Sequence, residues 1–286
     1  GFAEVFFSVA AAIQNETPPN YTILYTQVAL ALRPDHVDAI LLTADLLETL
    51  EQYDHAIEVY KTVGADEAAY HAAEMGRAAA LRLSGKPEAA VEVLEQLARS
   101  HGDLSIVQSA LGDAMRQQDR FAEAVAAYDR AVDLSVETGG PSWFLLYARA
   151  ISNERLGNWE QAEADFRAAL VVNPGQPQVL NYLGYSLVEK QINLDEALDM
   201  IGRAVVASPD SGYIIDSLGW ALYRMGRYGE AVAPMERAVE IMAVDPVVND
   251  HLGDVYWAVN RKREAEFQWA RALSFVDEDD PLSEAK

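Results

Sequence analysis

The sequence YLGYSL at residues 182–187 returns in altered form as SLGWAL at residues 217–222 and as HLGDVY at residues 251–256. The central glycines of the three segments are 35 and then 34 residues apart. A Glu-Ala pair follows each segment, and the three pairs lie at residues 196–197, 230–231 and 264–265. Self-similarity at a period of about 34 residues is the signature of a repeat protein, so this repeat decides the fold.

The same step carries the pattern back to the N-terminus and gives eight repeats, whose positions we number from the first residue of each. They are predicted at residues 3–36, 37–70, 71–104, 105–138, 143–176, 177–211, 212–245 and 246–279. Position 8 is small in every repeat: Ala10, Ala44, Ala78, Gly112, Ala150, Gly184, Gly219 and Gly253. Position 20 is alanine in every repeat except the first, where it is Thr22. Two irregularities interrupt the step: a four-residue insertion at residues 137–140 and one extra residue within residues 191–194.

The spacing within each repeat predicts two helices, A and B. Apolar residues at positions 4, 7 and 11 recur at helical spacing and predict a buried stripe on helix A. Small residues at positions 8 and 20 would let the two helices approach closely, and we expect positions 24 and 27 to pack one hairpin onto the next. Turns between the helices are marked by Gly85, Gly157 and Gly226. Ends of helix B are marked by Pro34, Pro174 and Pro209. The sequence therefore predicts an all-α fold over residues 1–279, followed by an acidic disordered tail at residues 280–286.

This pattern resembles the tetratricopeptide repeat family, which has a small residue at position 8, alanine at 20, a large residue at 24 and alanine at 27. The resemblance implies a right-handed α-solenoid superhelix of eight helix-turn-helix repeats. It also implies that helix A lines a concave groove, with positions 2, 5, 9, 12 and 13 pointing into it.

The groove positions of repeats five to eight are rich in aromatic and acidic residues. Those predicted to bind a partner are Tyr147, Asn181, Tyr185, Tyr213, Asp216, Trp220, Tyr223, Asp250, Asp254 and Trp257. Aromatic rings offer rigid contact area, and Asp or Asn can hold a peptide backbone or a basic group. The alternative is that several of these rings pack against neighbouring helices.

Composition excludes several function classes. The formal net charge is −23, from 45 acidic and 22 basic residues, whereas a nucleic-acid binder needs a cationic surface. The chain has no cysteine and no phosphate-binding loop, GxSxG or HExxH motif, so we expect no enzyme activity, no cofactor and no metal. No apolar run approaches the ~20 residues that span a bilayer. We interpret the histidines as surface residues, namely His36, His55, His71, His101 and His251.

The leading hypothesis is a scaffold or adaptor whose groove binds a protein or peptide, basic or apolar in character. One alternative is a regulatory array belonging to a longer enzyme. Another is a homo-oligomer joined through an uncapped end, because the first helix is apolar and we expect it to be a cut edge of a longer solenoid. Residues 181–254 also resemble the C-terminal part of long proteobacterial tetratricopeptide proteins, some of them exported or envelope-associated. That resemblance favours the periplasm or the cell envelope, with the cytoplasm as the alternative.

Overall fold

The computed structural model describes residues 1–275, so the last residues predicted for repeat eight (276–279) and the predicted tail (280–286) lie outside it. Within residues 1–275 the chain forms sixteen α-helices, one 3₁₀-helix and no β-strand, which confirms the predicted all-α fold. The α-helices are α1 (Phe2–Ile13), α2 (Pro19–Leu32), α3 (Val37–Thr49), α4 (Tyr53–Tyr60), α5 (Tyr70–Leu83), α6 (Pro87–Ser100), α7 (Ser105–Arg116), α8 (Phe121–Ser135), α9 (Trp143–Arg155), α10 (Trp159–Val172), α11 (Pro177–Glu189), α12 (Leu194–Ala207), α13 (Gly212–Arg224), α14 (Tyr228–Ile241), α15 (Pro246–Ala258) and α16 (Lys262–Phe275).

Odd-numbered helices are the A helices of successive repeats, and even-numbered helices are the B helices. The chain divides into two compact units, Gly1–Ala162 and Glu163–Lys286, which we call the first unit and the second unit. This division falls in repeat five and not at the insertion of residues 137–140. Positions 8, 20 and 27 are buried in all eight repeats, so the small residues do allow helices A and B to approach closely.

The large residue at position 24 packs against helix A of its own hairpin, and in two repeats it also contacts the next hairpin, as expected. The ring of Tyr60 lies against Gly76 of repeat three, and the ring centroid of Phe166 is 5.2 Å from that of Tyr182 in repeat six.

A Cβ atom built on Gly112 would lie 2.6 Å from the ring of Tyr128, at position 24 of the same repeat. One built on Gly219 would lie 2.6 Å from the side chain of Met235. Glycine at position 8 therefore provides the space that a bulky residue at position 24 occupies.

Each hairpin from repeat two onward turns at position 15, which lies in the left-handed region. These residues are Glu51, Gly85, Asp119, Gly157, Gln191, Gly226 and Asn260. The next residue donates its backbone N–H to a carbonyl five residues earlier, as Lys86 does to Leu81 at 2.9 Å. This bond closes helix A as a Schellman motif, which favours glycine at the turn. The turns predicted at Gly85, Gly157 and Gly226 are confirmed.

The irregular stretches are absorbed locally. The insertion forms the 3₁₀-helix Val136–Thr138, after which Gly139 and Gly140 both have positive φ. The extra residue of repeat six gives a turn with two left-handed residues, Gln191 and Asn193. Helix α4 is shorter than the other B helices and ends at Tyr60, a feature the sequence analysis did not predict.

An arginine at position 26 links several hairpins to the preceding one. In each case the guanidinium donates to the carbonyl of the second residue after the end of the preceding helix B. The pairs are Arg130 to Gly102 (3.2 Å), Arg203 to Pro174 (3.0 Å), Arg237 to Pro209 (2.5 Å) and Arg271 to Ala243 (2.7 Å). Carbonyls near a helix end have no partner within the helix, so a charged donor there stabilises the junction between repeats.

Candidate functional site

The A helices of repeats six to eight form one surface, because α13 contacts both α11 and α15. Positions 4, 7 and 11 face the core, as Leu180, Leu183 and Leu187 of α11 are buried. We give the name aromatic face to twelve side chains at positions 2, 5, 6, 9, 12 and 13 of these helices. It consists of Asn181, Tyr185, Glu189, Tyr213, Asp216, Trp220, Tyr223, Arg224, Asp250, His251, Asp254 and Trp257.

The predicted residues differ in how open they are. Tyr213 and Trp257 are the most accessible, each 47% exposed. By contrast, Asn181 and Asp216 at position 5 are only 7% exposed. The other predicted residues of the second unit are half-buried: Tyr185, Trp220, Tyr223, Asp250 and Asp254. Tyr147 belongs to the first unit, where its ring centroid lies 6.3 Å from that of Trp143.

Asp216 joins two successive A helices. Nδ1 of His251 on α15 lies 3.0 and 3.1 Å from the two carboxylate oxygens of Asp216 on α13. Both side chains are almost fully buried. The contact fixes the position of the carboxylate, so Asp216 holds α13 and α15 together through His251.

Trp220 is held from both neighbouring repeats. Its indole stacks on His251, with ring centroids 4.0 Å apart and planes 16° apart. It also stacks on Tyr223 at 5.0 Å and 19°. Its Nε1 donates to Glu189 on α11 at 2.8 Å, and Arg224 donates to the same carboxylate oxygen at 2.6 Å. These contacts fix the orientation of the indole before any partner arrives.

Carboxylates outnumber guanidinium groups on the aromatic face, with Glu189, Asp216, Asp250 and Asp254 against Arg224. Burial raises the pKa of Tyr185 above its usual range, and the carboxylates of Glu189 and Asp216 raise it further, against an opposing effect from Arg224. Burial also raises the pKa of Tyr223, with Asp254 adding to the shift.

In repeat eight, Trp257 of the aromatic face lies beside a second indole, that of Trp269 on helix α16. Trp257 and Trp269 have ring centroids 5.6 Å apart, and Nε1 of Trp269 donates to Asp254 at 3.2 Å. Nζ of Lys262 lies 4.8 Å from the ring centroid of Trp257, within the range of a cation–π interaction.

Glu189 and Arg224 lie at position 13, which was expected to point into the groove, but they were not among the residues predicted to bind a partner. His251, at position 6, was not expected on this face. The interpretation of the histidines as surface residues is wrong for His251, which pairs with Asp216, and for His36, which is buried against Phe7. The signal that was missed involves two repeats: the acid Asp216 at position 5 of repeat seven is followed by His251 at position 6 of repeat eight. A pattern defined within one repeat does not reveal such a pair.

Two further features bear on function. Among residues 1–275, no group of three or more His, Asp and Glu side chains is arranged to hold a metal ion. In the same range, no helix is both long and apolar enough to cross a membrane.

Comparison with known proteins identifies the repeat. Family models described as tetratricopeptide repeat match residues 75–135, 147–212 and 213–243. The chain belongs to the tetratricopeptide repeat family. A TPR repeat-containing protein of Pseudomonas aeruginosa is 34% identical over 110 residues, which is 38% of this chain. That stretch spans 18% of the relative's own length.

Solved structures share the tetratricopeptide fold. A chain in the crystal structure of the APC/C hetero-tetramer Cut9–Hcn1 has a TM-score of 0.69 at 12% identity, covering 98% of this chain and 54% of its own length. A tetratricopeptide repeat protein of Parabacteroides merdae has a TM-score of 0.68 at 16% identity, covering 86% of this chain and 95% of its own. At these identities the likeness concerns the fold alone.

Proposed function

We propose that this tetratricopeptide protein is a non-enzymatic scaffold or adaptor that binds a peptide or a partner protein on the aromatic face. Tetratricopeptide repeat folds generally mediate protein–protein interactions without catalysis. The observation that carries the proposal is the fixed indole of Trp220, held by Glu189 of the preceding repeat and His251 of the following one.

Pre-organisation makes this surface suited to binding. Ordering a flexible side chain at an interface costs about 0.5–1.5 kcal/mol, and a side chain that is already fixed avoids most of that cost. Trp and Tyr are also the residues most enriched among those that dominate binding energy. Tyr213 on α13 and Trp257 on α15 add accessible rings to the same face.

Site-specific photo-crosslinking tests the proposal. A benzophenone amino acid at Tyr213 is compared with one at Ile106, which is also position 2 of an A helix and is 57% exposed. In native cell extract, we expect adducts with a defined partner from position 213, few from position 106, and loss of the adducts when Trp220→Ala is added. Equal adducts from both positions, or adducts that survive Trp220→Ala, would contradict the proposal.

One observation favours a second candidate, the association of copies through the first repeat. Helices α1 and α2 expose several large apolar side chains, including Phe2 (81%), Tyr21 (60%) and Leu24 (55%). Sedimentation velocity across a concentration series should then show an oligomer that Leu24→Glu dissociates, and a monomer at every concentration would exclude it. The regulatory array of a longer enzyme stays a prediction.

A further inference from the structure

We propose that the aromatic face binds an extended peptide segment that carries a lysine or arginine. This inference rests on the proposed function and names the chemistry of its partner. Three features of the second unit carry it: the charge of the face, a buried hydrogen-bond acceptor, and the way its rings already receive cations.

Charge on the three helices is unbalanced towards the negative. Helices α11, α13 and α15 contain four carboxylates, Glu189, Asp216, Asp250 and Asp254, but only one arginine, Arg224. Because Tyr185, Trp220 and Tyr223 on these helices are half-buried, a cation brought beside them would be screened less than at an open surface.

Hydrogen-bonding capacity points the same way. Oδ1 of Asn181 is buried and accepts no hydrogen bond from residues 1–275. Asn181 lies one helical turn before Tyr185 and therefore on the same side of α11. A buried acceptor without a donor is unfavourable, so a ligand rich in N–H groups complements this helix better than an anionic one.

The rings of the face already lie beside cations of the chain itself. Lys262 lies over Trp257, and the guanidinium carbon of Arg224 is 5.9 Å from the ring centroid of Trp220. Aromatic faces flanked by carboxylates attract Lys and Arg by both cation–π and charge-assisted contacts. An acidic peptide would meet like charges on the same surface, which opposes its binding.

Selection from a randomised twelve-residue display library on the full-length protein tests the inference. Enriched peptides are synthesised, and their affinity is measured by fluorescence anisotropy. We expect lysine or arginine to be enriched over the input library. Glu189→Gln, which keeps an acceptor for Trp220 but removes the charge, should weaken binding about fivefold. Asp45→Asn, an exposed acid at position 9 of repeat two, should change affinity less than about twofold.

The failures are distinguishable. Peptides without a Lys or Arg bias, or peptides that bind Glu189→Gln as tightly as the wild type, overturn the inference that the ligand carries a cation. The proposed function still stands in that case if Trp220→Ala abolishes their binding. No enrichment at all, or binding indifferent to Trp220→Ala, overturns both. The exposed Tyr213→Ser is the second variant, because losing a side chain that is 47% exposed leaves the core intact.

Discussion

Polar side chains of helix A bond within their own hairpin in repeats two and four, but reach the neighbouring repeat in repeats six to eight. In the first unit, Tyr60 donates to Glu48 at 2.7 Å and Tyr128 donates to Asp113 at 2.7 Å. Both bonds join helix B to helix A of one repeat. In the second unit, Glu189 accepts from Trp220 on the next A helix, and the Asp216–His251 pair spans the following junction.

The residue at position 24 differs between the two sets of repeats. Tyr60 and Tyr128 bring a buried hydroxyl that needs a partner, and the nearest carboxylates are on their own helix A. Ile201 and Met235 occupy the same position in repeats six and seven and have no such group. In those repeats the acids Glu189 and Asp216 stand at positions 13 and 5, and each bonds to the adjacent repeat. Repeat eight does both, because Trp269 at position 24 donates to Asp254.

Aromatic content also differs between the A helices of repeats two to four and those of repeats six to eight. Helices α11, α13 and α15 contain seven Tyr and Trp residues, whereas α3, α5 and α7 contain only Tyr70. A face that is rich in rings and hydrogen-bonded between repeats is suited to recognition. Hydrogen bonds within one hairpin instead stabilise that hairpin. Removing a bond between repeats should therefore destabilise two repeats, whereas removing a bond within a hairpin should destabilise one.

The largest expected effect is that of His251→Leu. It leaves the carboxylate of Asp216 buried without its partner, so the free energy of unfolding should fall by about 3 kcal/mol in urea titrations. Hydrogen exchange should quicken in α13 as well as in α15, because the tie spans two repeats. His55→Leu, at an exposed histidine, is the matched control and should be near neutral. Faster hydrogen exchange confined to α15 would contradict the view that this pair acts between repeats.

Asp113→Ala should cost about 2 kcal/mol, because Tyr128 is fully buried and its hydroxyl would lose its acceptor. Here faster hydrogen exchange should stay within α7 and α8. Faster exchange spreading into α5 or α9 would show that this tie also acts between repeats.

Trp220→Phe tests the tie to Glu189 more gently. Phenylalanine keeps an aromatic ring beside His251 but loses the Nε1 hydrogen bond to a partly exposed carboxylate, so we expect a loss of about 1 kcal/mol. Differential scanning calorimetry would measure it. An unchanged melting temperature would mean that stacking alone orients this ring.

The smallest effect concerns alkaline pH. Burial and the hydrogen bond to Glu236 on α14 raise the pKa of Tyr256 to about 12. The folded chain favours the neutral phenol, so this stabilisation is present below the ordinary pKa of about 10 and is lost as the pH rises from about 10 to 12. At about pH 10.5 the difference is on the order of 0.5 kcal/mol after solvent screening. In Tyr256→Phe, the free energy of unfolding should therefore fall less steeply with pH over this range than in the wild type. An identical slope in the variant would show that Tyr256 does not contribute.

Much of the fold could be predicted from the sequence, because the same pattern of small and apolar positions recurs in eight repeats. Positions 8, 20 and 27, the glycine turns, and the ends of helix B before Pro34 and Pro174 follow from sterics that each repeat states locally. The short α4 escaped prediction because no comparable break occurs in the other repeats.

The site could be predicted only in part. The helix and the aromatic positions came from the pattern, since position within helix A sets which residues share a side. The partners of these residues did not, because His251 and Glu189 act on residues one repeat away. Which of two adjacent repeats a side chain contacts depends on residues of both repeats, and no single repeat records that.

Hydrogen–deuterium exchange of the full chain, with and without a peptide from the display selection, tests the central claim most directly. The account predicts slower exchange in residues 177–189, 212–224 and 246–258, and unchanged exchange in residues 37–49, 70–83 and 105–116. Protection of α3, α5 and α7 equal to that of α11, α13 and α15 would contradict it.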